Sequence, residues 1–394
     1  MSGHSRRLVM SLVCAGMCLS WAGCGGGRPP HPCQGATCVA SATTFLYLTA
    51  LDDISGFTLA TSGVPTSFQS LSGPNQSIGM VADSSAKFLF VSDFENATVE
   101  AFTINQSSGV LVPVSGSPSP AGSAPDTGGI AVDPSTRFLY ATLLNSDAVA
   151  GFSINSTTGT LTPIVGSPFA AGNTPAQAIV DSSGKFLYVT NLNDPQGTIS
   201  AYNIDPSSGA LTSIPGSPFA TQANFPGPAG LALGAGGKFL YVAMAGTVNA
   251  NNAVSGFSID STTGALTQLA GSPFPAGHGS IGVASDPAGK FLFAANLQDD
   301  TLSAFTIDAS TGALTPVAGS PFSTHSAPVD VQVDPFGEVR LRRELGFRRP
   351  VGFCSRYNNR SARSHLGIAV LYWTASAWWS GDREDPVKQG RSED

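Results

Sequence analysis

Short runs in which apolar and polar residues alternate recur through the middle of the chain. Residues 281–322 show one unit: "IGVASD", the turn "DPAG", "KFLFAAN", the polar loop "LQDD", "TLSAFTID", the turn "ASTG" and "ALTPVAGSPF". Alternation with a period of two is typical of half-buried strands, while Pro and Gly favour the turns between them. The pattern predicts four antiparallel strands within about 50 residues, which is the size of one propeller blade.

This unit repeats along the chain. Its "FLY"-type strand recurs at Phe45, Phe88, Phe138, Phe186, Phe239 and Phe291, and its "GSPF"-like element recurs at Gly116, Gly166, Gly216, Gly271 and Gly319. A blade of this kind buries its faces only against neighbouring blades, so the units must form a ring. We therefore predict that residues 44–337 form an all-β propeller of four-stranded blades, with the aromatic residues packed between blades.

Residues 188–191 spell "YVTN", and they occur among "DPSG"-like turns and "TTGALT" segments. These motifs resemble those of the seven-bladed β-propeller lactonase family and the related YVTN-repeat propellers, over residues 44–337. The resemblance implies a seven-bladed ring, of which six blades are recognisable here and the seventh is disrupted. It also implies a sugar-lactone hydrolase of the 6-phosphogluconolactonase kind as one expected activity.

Charge divides the chain into an acidic body and two basic ends. Charged residues are only 11% of the whole, and residues 40–337 contain five basic and nineteen acidic residues. Nucleic-acid phosphates demand a basic surface, so the body excludes nucleic acid as a partner. We interpret the five basic residues as solvated charges at strand starts that discourage edge pairing, with a basic binding ring as the alternative. They are Lys87, Arg137, Lys185, Lys238 and Lys290.

The N-terminus has the pattern of an export signal. Two arginines precede an apolar stretch, residues 8–23, that is too short for a comfortable membrane span. It ends in "WAGC" (residues 21–24), which resembles a bacterial lipobox except that Trp21 replaces an aliphatic residue. We predict a signal peptide over residues 1–23 and a membrane anchor through lipidation of Cys24 in a bacterial cell envelope. The alternative is an ordinary cleaved signal and a secreted protein.

A Gly/Pro-rich tether is predicted over residues 24–43. Cys33 and Cys38 lie within it in "HPCQGATC", and an exported location permits a disulfide between them. Two cysteines alone do not predict a metal site. The chain has no HExxH motif and no carboxylates at metal-ligand spacing, so we expect neither a metal nor a cofactor.

The last part of the chain departs from the repeat. The segment "GEVRLRRELGFRRP" (337–350) holds five arginines, although the three hundred or so residues before it hold only Arg137. Codons for residues 338–345 can be written so that reading one nucleotide later spells K-F-V-Y-V-A-N. In that frame the "TGAL" and "GSPF" elements follow position 338 at 21 and 29 residues, as they follow Lys290.

We therefore predict that residues 338–394 are out-of-frame translation of a seventh blade, and a basic partner-binding tail is the alternative. The last strand of the regular pattern is "PVDVQVD" (328–334), an innermost strand. Blade one has no convincing innermost strand before Phe45, and an intact C-terminus would supply it. In this chain we expect an irregular tail and two unpaired sheet edges facing a gap.

Candidate chemistry is sparse. His278 in "PAGHGSIG" and His325 in "FSTHSAPVD" lie in equivalent connections that open on one face of the ring. His278 is a candidate general base, and an exposed loop histidine is the alternative. The resemblance implies a catalytic His with Arg and Glu at the channel mouth, but Arg137, Glu95 and Glu100 do not map onto such a set.

Polar loops recur at one position of the blades, namely "SDFEN" (92–96), "LNSD" (144–147), "NLNDPQG" (191–197) and "NLQDD" (296–300). They predict an acidic rim that turn chemistry explains, with a cation-binding or carbohydrate-facing rim as the alternative. From these features we expect a scaffold that binds a small molecule, a carbohydrate or a protein on one propeller face. The alternative function is hydrolysis of sugar lactones.

Overall fold

The computed structural model describes residues 12–15, 44–50, 53–59, 65–123, 125–193, 197–221, 227–245, 253–324, 327–333 and 339–343. In these ranges the elements are β-strands apart from one 3₁₀ turn, Ala235–Gly237. The strands form seven antiparallel sheets that follow one another along the chain, so each sheet is one blade. The predicted all-β propeller of four-stranded blades is confirmed. No helix in the described ranges is long and apolar enough to span a membrane.

Each blade starts at the channel and ends at the outer rim. The innermost strands are Leu12–Ala15, Met80–Ala82, Thr127–Val132, Pro175–Val180, Pro228–Gly234, Ser280–Ser285 and Pro328–Val333. The second strands are Thr44–Ala50, Phe88–Asp93, Phe138–Leu143, Phe186–Asn191, Phe239–Met244, Phe291–Asn296 and Val339–Arg343. The third strands are Asp53–Leu59, Thr98–Ile104, Ala148–Ile154, Thr198–Ile204, Ala253–Ile259 and Thr301–Ile307. The outer strands are Pro65–Ser72, Leu111–Pro113, Leu161–Pro163, Leu211–Ser213, Leu266–Gln268 and Leu314–Pro316, and blades two to six add Ser119–Pro120, Phe169–Ala170, Phe219–Ala220, Phe274–Pro275 and Phe322–Ser323.

The predicted fourth strand is two short segments rather than one. In blade six, Leu314–Pro316 and Phe322–Ser323 both pair with the third strand, Thr301–Ile307. Between them the Ser320 hydroxyl accepts the backbone N–H of Ala304 at 2.9 Å. The equivalent serines of blades two to five make the same contact at 2.8–2.9 Å. A serine hydroxyl therefore satisfies the third strand where the "GSP" turn interrupts the outer one.

An aspartate builds the turn between the first and second strands. In blade four, one carboxylate oxygen of Asp181 accepts the backbone N–H groups of Lys185 at 2.7 Å and Phe186 at 2.8 Å. The aspartates of blades two, three and six hold their turns in the same way. In blade five Gly234 takes this position, and the 3₁₀ turn Ala235–Gly237 replaces the aspartate-held turn.

In four blades, a tyrosine of the second strand forms a hydrogen bond with the next blade. The fully buried Tyr188 donates its hydroxyl hydrogen to the Gly264 carbonyl oxygen of the following blade at 2.9 Å. A Cβ on Gly264, whose φ is +72°, would lie 2.4 Å from Phe186, so this turn can approach the preceding blade only with glycine. Tyr47, Tyr140 and Tyr241 bond Gly109, Gly209 and Gly312 in the same way. The predicted inter-blade packing of the "FLY" aromatics is confirmed.

Two of the basic residues before the second strands also contact the next blade. Lys87 Nζ donates to the carbonyl oxygens of Ser156 at 2.9 Å and Thr157 at 3.1 Å. A guanidinium nitrogen of Arg137 donates to the Pro206 carbonyl oxygen at 2.7 Å. These side chains are therefore inter-blade contacts rather than only solvated charges, because the adjoining turn presents carbonyl oxygens within their reach.

Blade one has an innermost strand that the sequence pattern does not predict. Leu12–Ala15 pairs antiparallel with Thr44–Ala50, although it lies inside the predicted signal peptide, residues 1–23. This corrects the expectation that blade one lacks such a strand. The physical reason is that an open strand edge presents unpaired N–H and C=O groups, and an apolar segment of the same chain satisfies them.

Blade seven has two paired strands in the described residues, Pro328–Val333 and Val339–Arg343. The first matches the predicted "PVDVQVD" strand. The second continues regular pairing past residue 337, into the tail for which we expect irregular structure. Val339 is fully buried and packs in one cluster with Phe293 of blade six.

The pairing in blade seven is shifted by one residue relative to blades two to six. In blade six, six residues separate the paired Ser285 and Leu292, whereas five separate the paired Val333 and Val339. Blades two to five have the spacing of blade six. A slip of one residue turns each side chain toward the other face of the sheet. The strand Val339–Arg343 therefore does not reproduce the second strand of the other blades.

Candidate functional site at the channel mouth

His278 and Asp299 form a pair at one mouth of the channel. His278 lies in the connection that leads into the innermost strand of blade six, and Asp299 lies between the second and third strands of that blade. Nδ1 of His278 lies 2.8 Å from Oδ1 of Asp299, and the His278 backbone N–H donates to Oδ2 at 2.7 Å. These contacts, chiefly the backbone hydrogen bond, lower the pKa of Asp299.

The pair leaves one imidazole nitrogen available for chemistry. A carboxylate only accepts hydrogen bonds, so Nδ1 of the neutral imidazole carries the proton and Nε2 is the basic nitrogen. The His278 side chain is 58% exposed, so a ligand in the channel mouth can reach it. A histidine that a carboxylate orients in this way can act as a general base.

The fold does not require histidine at this position. The His278 carbonyl oxygen accepts the backbone N–H of Gln298 at 3.1 Å, which ties the two connections together. Blade four makes the same contact between Asn173 and Asn193, at 3.3 Å. Asparagine therefore suffices for the turn, and the imidazole of His278 is an addition to the structural pattern.

The described parts of the predicted polar loops all lie on the same face as His278, which we call the His278 face. Their carboxylates mainly hold turns: Asp147 accepts the backbone N–H of Thr174 at 2.8 Å, and Asp300 accepts that of Ala327. Turn chemistry thus explains the recurrence of these loops. Within the described ranges, no group of three or more His, Cys, Asp or Glu residues could hold a metal ion.

The two faces of the propeller differ in charge. The described lysine and arginine side chains lie at the opposite face, before the second strands, and belong to Lys87, Arg137, Lys185, Lys238 and Lys290. Among described side chains the His278 face has carboxylates, including Glu95, Asp147, Asp299 and Asp300, and no lysine or arginine. The described carboxylates concentrate a negative field around His278, which disfavours anions there.

The other sequence candidates are not brought to His278. Glu95 lies on blade two, where Gln76 donates to its carboxylate. Arg137 lies at the opposite face of the ring. His325 falls outside the described residues, as do Cys24, Cys33 and Cys38. Asp299 is not among the residues predicted from the sequence, because in "NLQDD" it has the pattern of an ordinary turn residue.

Glu100 occupies an unusual position in the third strand of blade two. Burial, and then the charge of Asp93, raise the pKa of Glu100 to about 7. In blade four the two equivalent positions hold Ser200 and Asn191, whose side chains hydrogen-bond at 3.0 Å. Blade two therefore places two carboxyl groups where another blade has a neutral pair. A perturbed carboxyl group is a feature of many functional sites, but here it lies on another blade than His278.

The fold and the mouth define a β-propeller whose channel opening carries a histidine held by a carboxylate. A family model described as the lactonase seven-bladed β-propeller matches residues 54–333. The chain therefore belongs to this family. No curated protein sequence matches the chain.

Several solved structures share the fold. A periplasmic gluconolactonase of Pseudomonas aeruginosa is 18% identical with a TM-score of 0.59, over 72% of this chain and 84% of that one. Two proteins provisionally described as 6-phosphogluconolactonases, from Bacteroides fragilis and Bacteroides uniformis, are 23% and 18% identical with TM-scores of 0.61. These two cover 73% and 72% of this chain, and 83% of each of those chains is matched. At these identities the likeness shows the fold alone.

Proposed function

We propose that the protein is an exported lactonase-family propeller that hydrolyses an uncharged sugar lactone at the mouth of its channel. The observation that carries this proposal is the His278–Asp299 pair, which presents a basic nitrogen to solvent where blade six enters the ring. Family membership and the described activities of the structural neighbours support the same reaction type.

In the proposed reaction, Nε2 of His278 takes a proton from water while the water oxygen attacks the lactone carbonyl carbon. A tetrahedral intermediate forms, with negative charge on the former carbonyl oxygen. When the carbonyl group forms again, the bond to the ring oxygen breaks, and the imidazolium returns its proton to that oxygen. Asp299 keeps the proton on Nδ1 and stabilises the imidazolium. The product is an open-chain hydroxy acid.

The charge of the His278 face favours uncharged lactones as substrates. A phosphate group carries about −1.5 to −2 charges at neutral pH, so the carboxylates at the mouth would repel a phosphorylated lactone. A neutral lactone meets no such repulsion. Its hydrolysis product is a carboxylate anion, which the same field drives out of the channel.

The test compares hydrolysis of D-glucono-1,5-lactone and its 6-phosphate by the purified protein, measured as acid release with the buffer rate subtracted. We expect the neutral lactone to be opened faster than in buffer. His278→Asn should lower kcat by about 10²- to 10⁴-fold, with little change in folding because Asn173 stands at the equivalent position in blade four. Wild-type hydrolysis at the buffer rate, or a fully active His278→Asn variant, would refute the proposal.

A binding scaffold without chemistry is the second candidate function. It is favoured because Arg137 lies at the opposite face and Glu95 and Glu100 lie on blade two, so these candidates do not form a catalytic set with His278. A scaffold would leave lactone hydrolysis at the buffer rate and still bind a sugar ring. Calorimetric titration with 1,5-anhydro-D-glucitol, which has the ring hydroxyls and no carbonyl group, distinguishes the two functions.

We further propose that the chain is exported and anchored through Cys24. Cleavage after residue 23 would remove Leu12–Ala15 and leave the edge of Thr44–Ala50 open to another strand. Labelling with radioactive palmitate in a bacterial host should mark the wild type in the membrane fraction and leave Cys24→Ala unlabelled. An unlabelled wild type released into the medium would indicate the ordinary cleaved signal instead.

A further inference from the structure

Gln298 lies between the second and third strands of blade six, and its equivalents in two other blades are held by a side-chain hydrogen bond. In blade two the equivalent residue is Glu95, whose carboxylate accepts a hydrogen bond from the Gln76 side chain. In blade four the Asn193 carboxamide donates to the Thr174 hydroxyl at 2.9 Å. In both blades, the connection that enters the innermost strand therefore supplies the partner for this position.

Blade six has glycine where those blades have the partner side chain. The backbone has a positive φ at all three residues, 53° at Gln76, 55° at Thr174 and 69° at Gly279, so the chain takes a similar path and the side chain is what differs. Gln298 lies over this glycine instead. Its Cγ is 2.9 Å and its Cδ 3.3 Å from the point where Gly279 would carry a Cβ. Gln298 is exposed and lacks the side-chain partner of its equivalents.

Backbone contacts place this carboxamide beside the proposed reaction site. The Gln298 N–H donates to the His278 carbonyl oxygen at 3.1 Å, and the Leu297 N–H donates to that of Gly279 at 3.0 Å. Gln298 and Asp299 are consecutive in the chain, as are His278 and Gly279. The carboxamide that covers Gly279 and the carboxylate that holds His278 therefore belong to adjoining residues of one connection. A ligand at the imidazole has the Gln298 side chain as a neighbour.

Two other polar side chains of this region are committed within the blade. The fully buried Asn296 donates to the hydroxyl oxygens of Thr301 and Ser303, each at 2.9 Å. The hydroxyl of Ser280, which is also fully buried, donates to Asn296 Oδ1 at 2.7 Å. Turning either group toward a ligand would break a buried hydrogen bond, which is costly. The exposed carboxamide of Gln298 can turn toward a ligand without that loss.

A carboxamide N–H is one of the groups that can stabilise the negative oxygen of a tetrahedral intermediate. In the proposed reaction the water oxygen bonds to the lactone carbonyl carbon, and the π electrons of the carbonyl group move onto its oxygen. We infer that Nε2 of Gln298 donates a hydrogen bond to this oxygen while His278 takes the water proton. Gln298 is then a second catalytic residue of the site, and this role rests on the function proposed above.

The test measures hydrolysis of D-glucono-1,5-lactone by the full chain and by Gln298→Met, which keeps the length of the side chain and removes the donor. The kcat of the variant should fall by about 10- to 100-fold, the effect of one lost hydrogen bond to a charged oxygen. KM should rise by no more than about fivefold, because the charge on the oxygen develops only in the transition state. A merely structural role of Gln298 would not separate kcat from KM in this way.

Two further variants control for position and for loss of the side chain. Asn193→Leu removes the carboxamide at the equivalent position of blade four and should keep the wild-type kcat. Gly279→Thr supplies the hydroxyl that Thr174 supplies in blade four, so it should hold the Gln298 carboxamide and lower kcat although Gln298 is intact. Thermal unfolding checks that each variant is folded. An equal fall in kcat for Asn193→Leu and Gln298→Met would contradict the inference.

A lactam probe separates failure of this inference from failure of the proposed function. If the wild type hydrolyses the lactone and Gln298→Met keeps its kcat, the inference is refuted and the proposed function stands. If the wild type does not hydrolyse it, calorimetry compares D-glucono-1,5-lactam with 1,5-anhydro-D-glucitol, which lacks the carbonyl group. Binding by Gln298→Met that is about two- to fivefold weaker for the lactam alone would still support the contact with the carbonyl oxygen. Equal lactam binding by both proteins, or none by the wild type, would refute it.

Discussion

Replacement of Glu100 by serine should stabilise the protein at alkaline pH and have no such effect at acidic pH. Burial and the Asp93 carboxylate raise the pKa of Glu100 to about 7. The folded protein thus holds this proton more tightly than the unfolded chain does. The contribution of this Glu100 proton to the stability of the folded protein is present below about pH 4.5 and is lost as pH rises through about 7.

The expected gain in the free energy of unfolding of Glu100→Ser follows from this shift in pKa. A carboxyl pKa raised from 4.5 to about 7 corresponds to at most about 3 kcal/mol. Glu100 is only half-buried, so solvent screening reduces this to about 1.5 kcal/mol. For a domain of this size that is about 2–4 °C in melting temperature. Serine is the matched replacement because Ser200 occupies the equivalent position in blade four.

The assay is thermal unfolding of the wild type and Glu100→Ser at pH 5 and pH 8. We expect the variant to gain about 2–4 °C relative to the wild type at pH 8, and to lose this advantage at pH 5. Glu95→Ser removes an exposed loop glutamate of the same blade and serves as the control for the loss of one carboxylate. A Glu100→Ser variant whose difference from the wild type is equal at both pH values would show that the reasoning is wrong.

Three further changes test the packing. Tyr188→Phe leaves the buried Gly264 carbonyl oxygen without its hydroxyl partner, and urea unfolding should show a loss of about 1–3 kcal/mol. Gly264→Ala forces a Cβ against Phe186 at a positive φ, so it should cost at least as much, about 1–3 kcal/mol or more. Pro175→Ser offers a hydroxyl to the buried Asn191 side-chain oxygen, which has no hydrogen-bond partner in the described part of the chain, and should add about 1 kcal/mol. A destabilised Pro175→Ser variant, or an unchanged Tyr188→Phe variant, would contradict these assignments.

The strands could be predicted from sequence because each blade repeats the same alternation. The predicted strand 301–308 is observed as Thr301–Ile307, and "KFLFAAN" is observed as Phe291–Asn296. Internal repetition compensates for the weak signal of any single short strand. The split outer strand was not predictable in this way, because it depends on a serine hydroxyl that substitutes for a backbone contact.

The candidate site was only half predictable. The loop position of His278 was visible in the sequence, but its partner Asp299 is 21 residues away and is recognisable only when two connections of one blade are placed side by side. The signal was present, since both segments join strands at the same end of the blade.

Blade seven shows the limit of pattern-based prediction. Val339–Arg343 pairs with the preceding strand although the repeat has ended, because an open strand edge accepts almost any extended segment. Its shifted register is the difference that distinguishes it from the other blades. The out-of-frame origin of residues 338–394 stays a prediction, which the nucleotide sequence of the gene tests.

The tyrosine hydrogen bonds between blades all reach a blade that lies later in the chain. None of them can form until that later blade has been synthesised. Each tyrosine bonds a glycine carbonyl oxygen that lies 62 to 76 residues further along the chain. A ribosome adds about 5–20 residues per second, so each of these hydrogen bonds can form only about 3–15 s after its tyrosine has been added to the chain. During that interval the newest blade has no neighbour on its C-terminal side. The nascent propeller therefore grows one blade behind the ribosome, and its aromatic edge is the surface that a chaperone would meet.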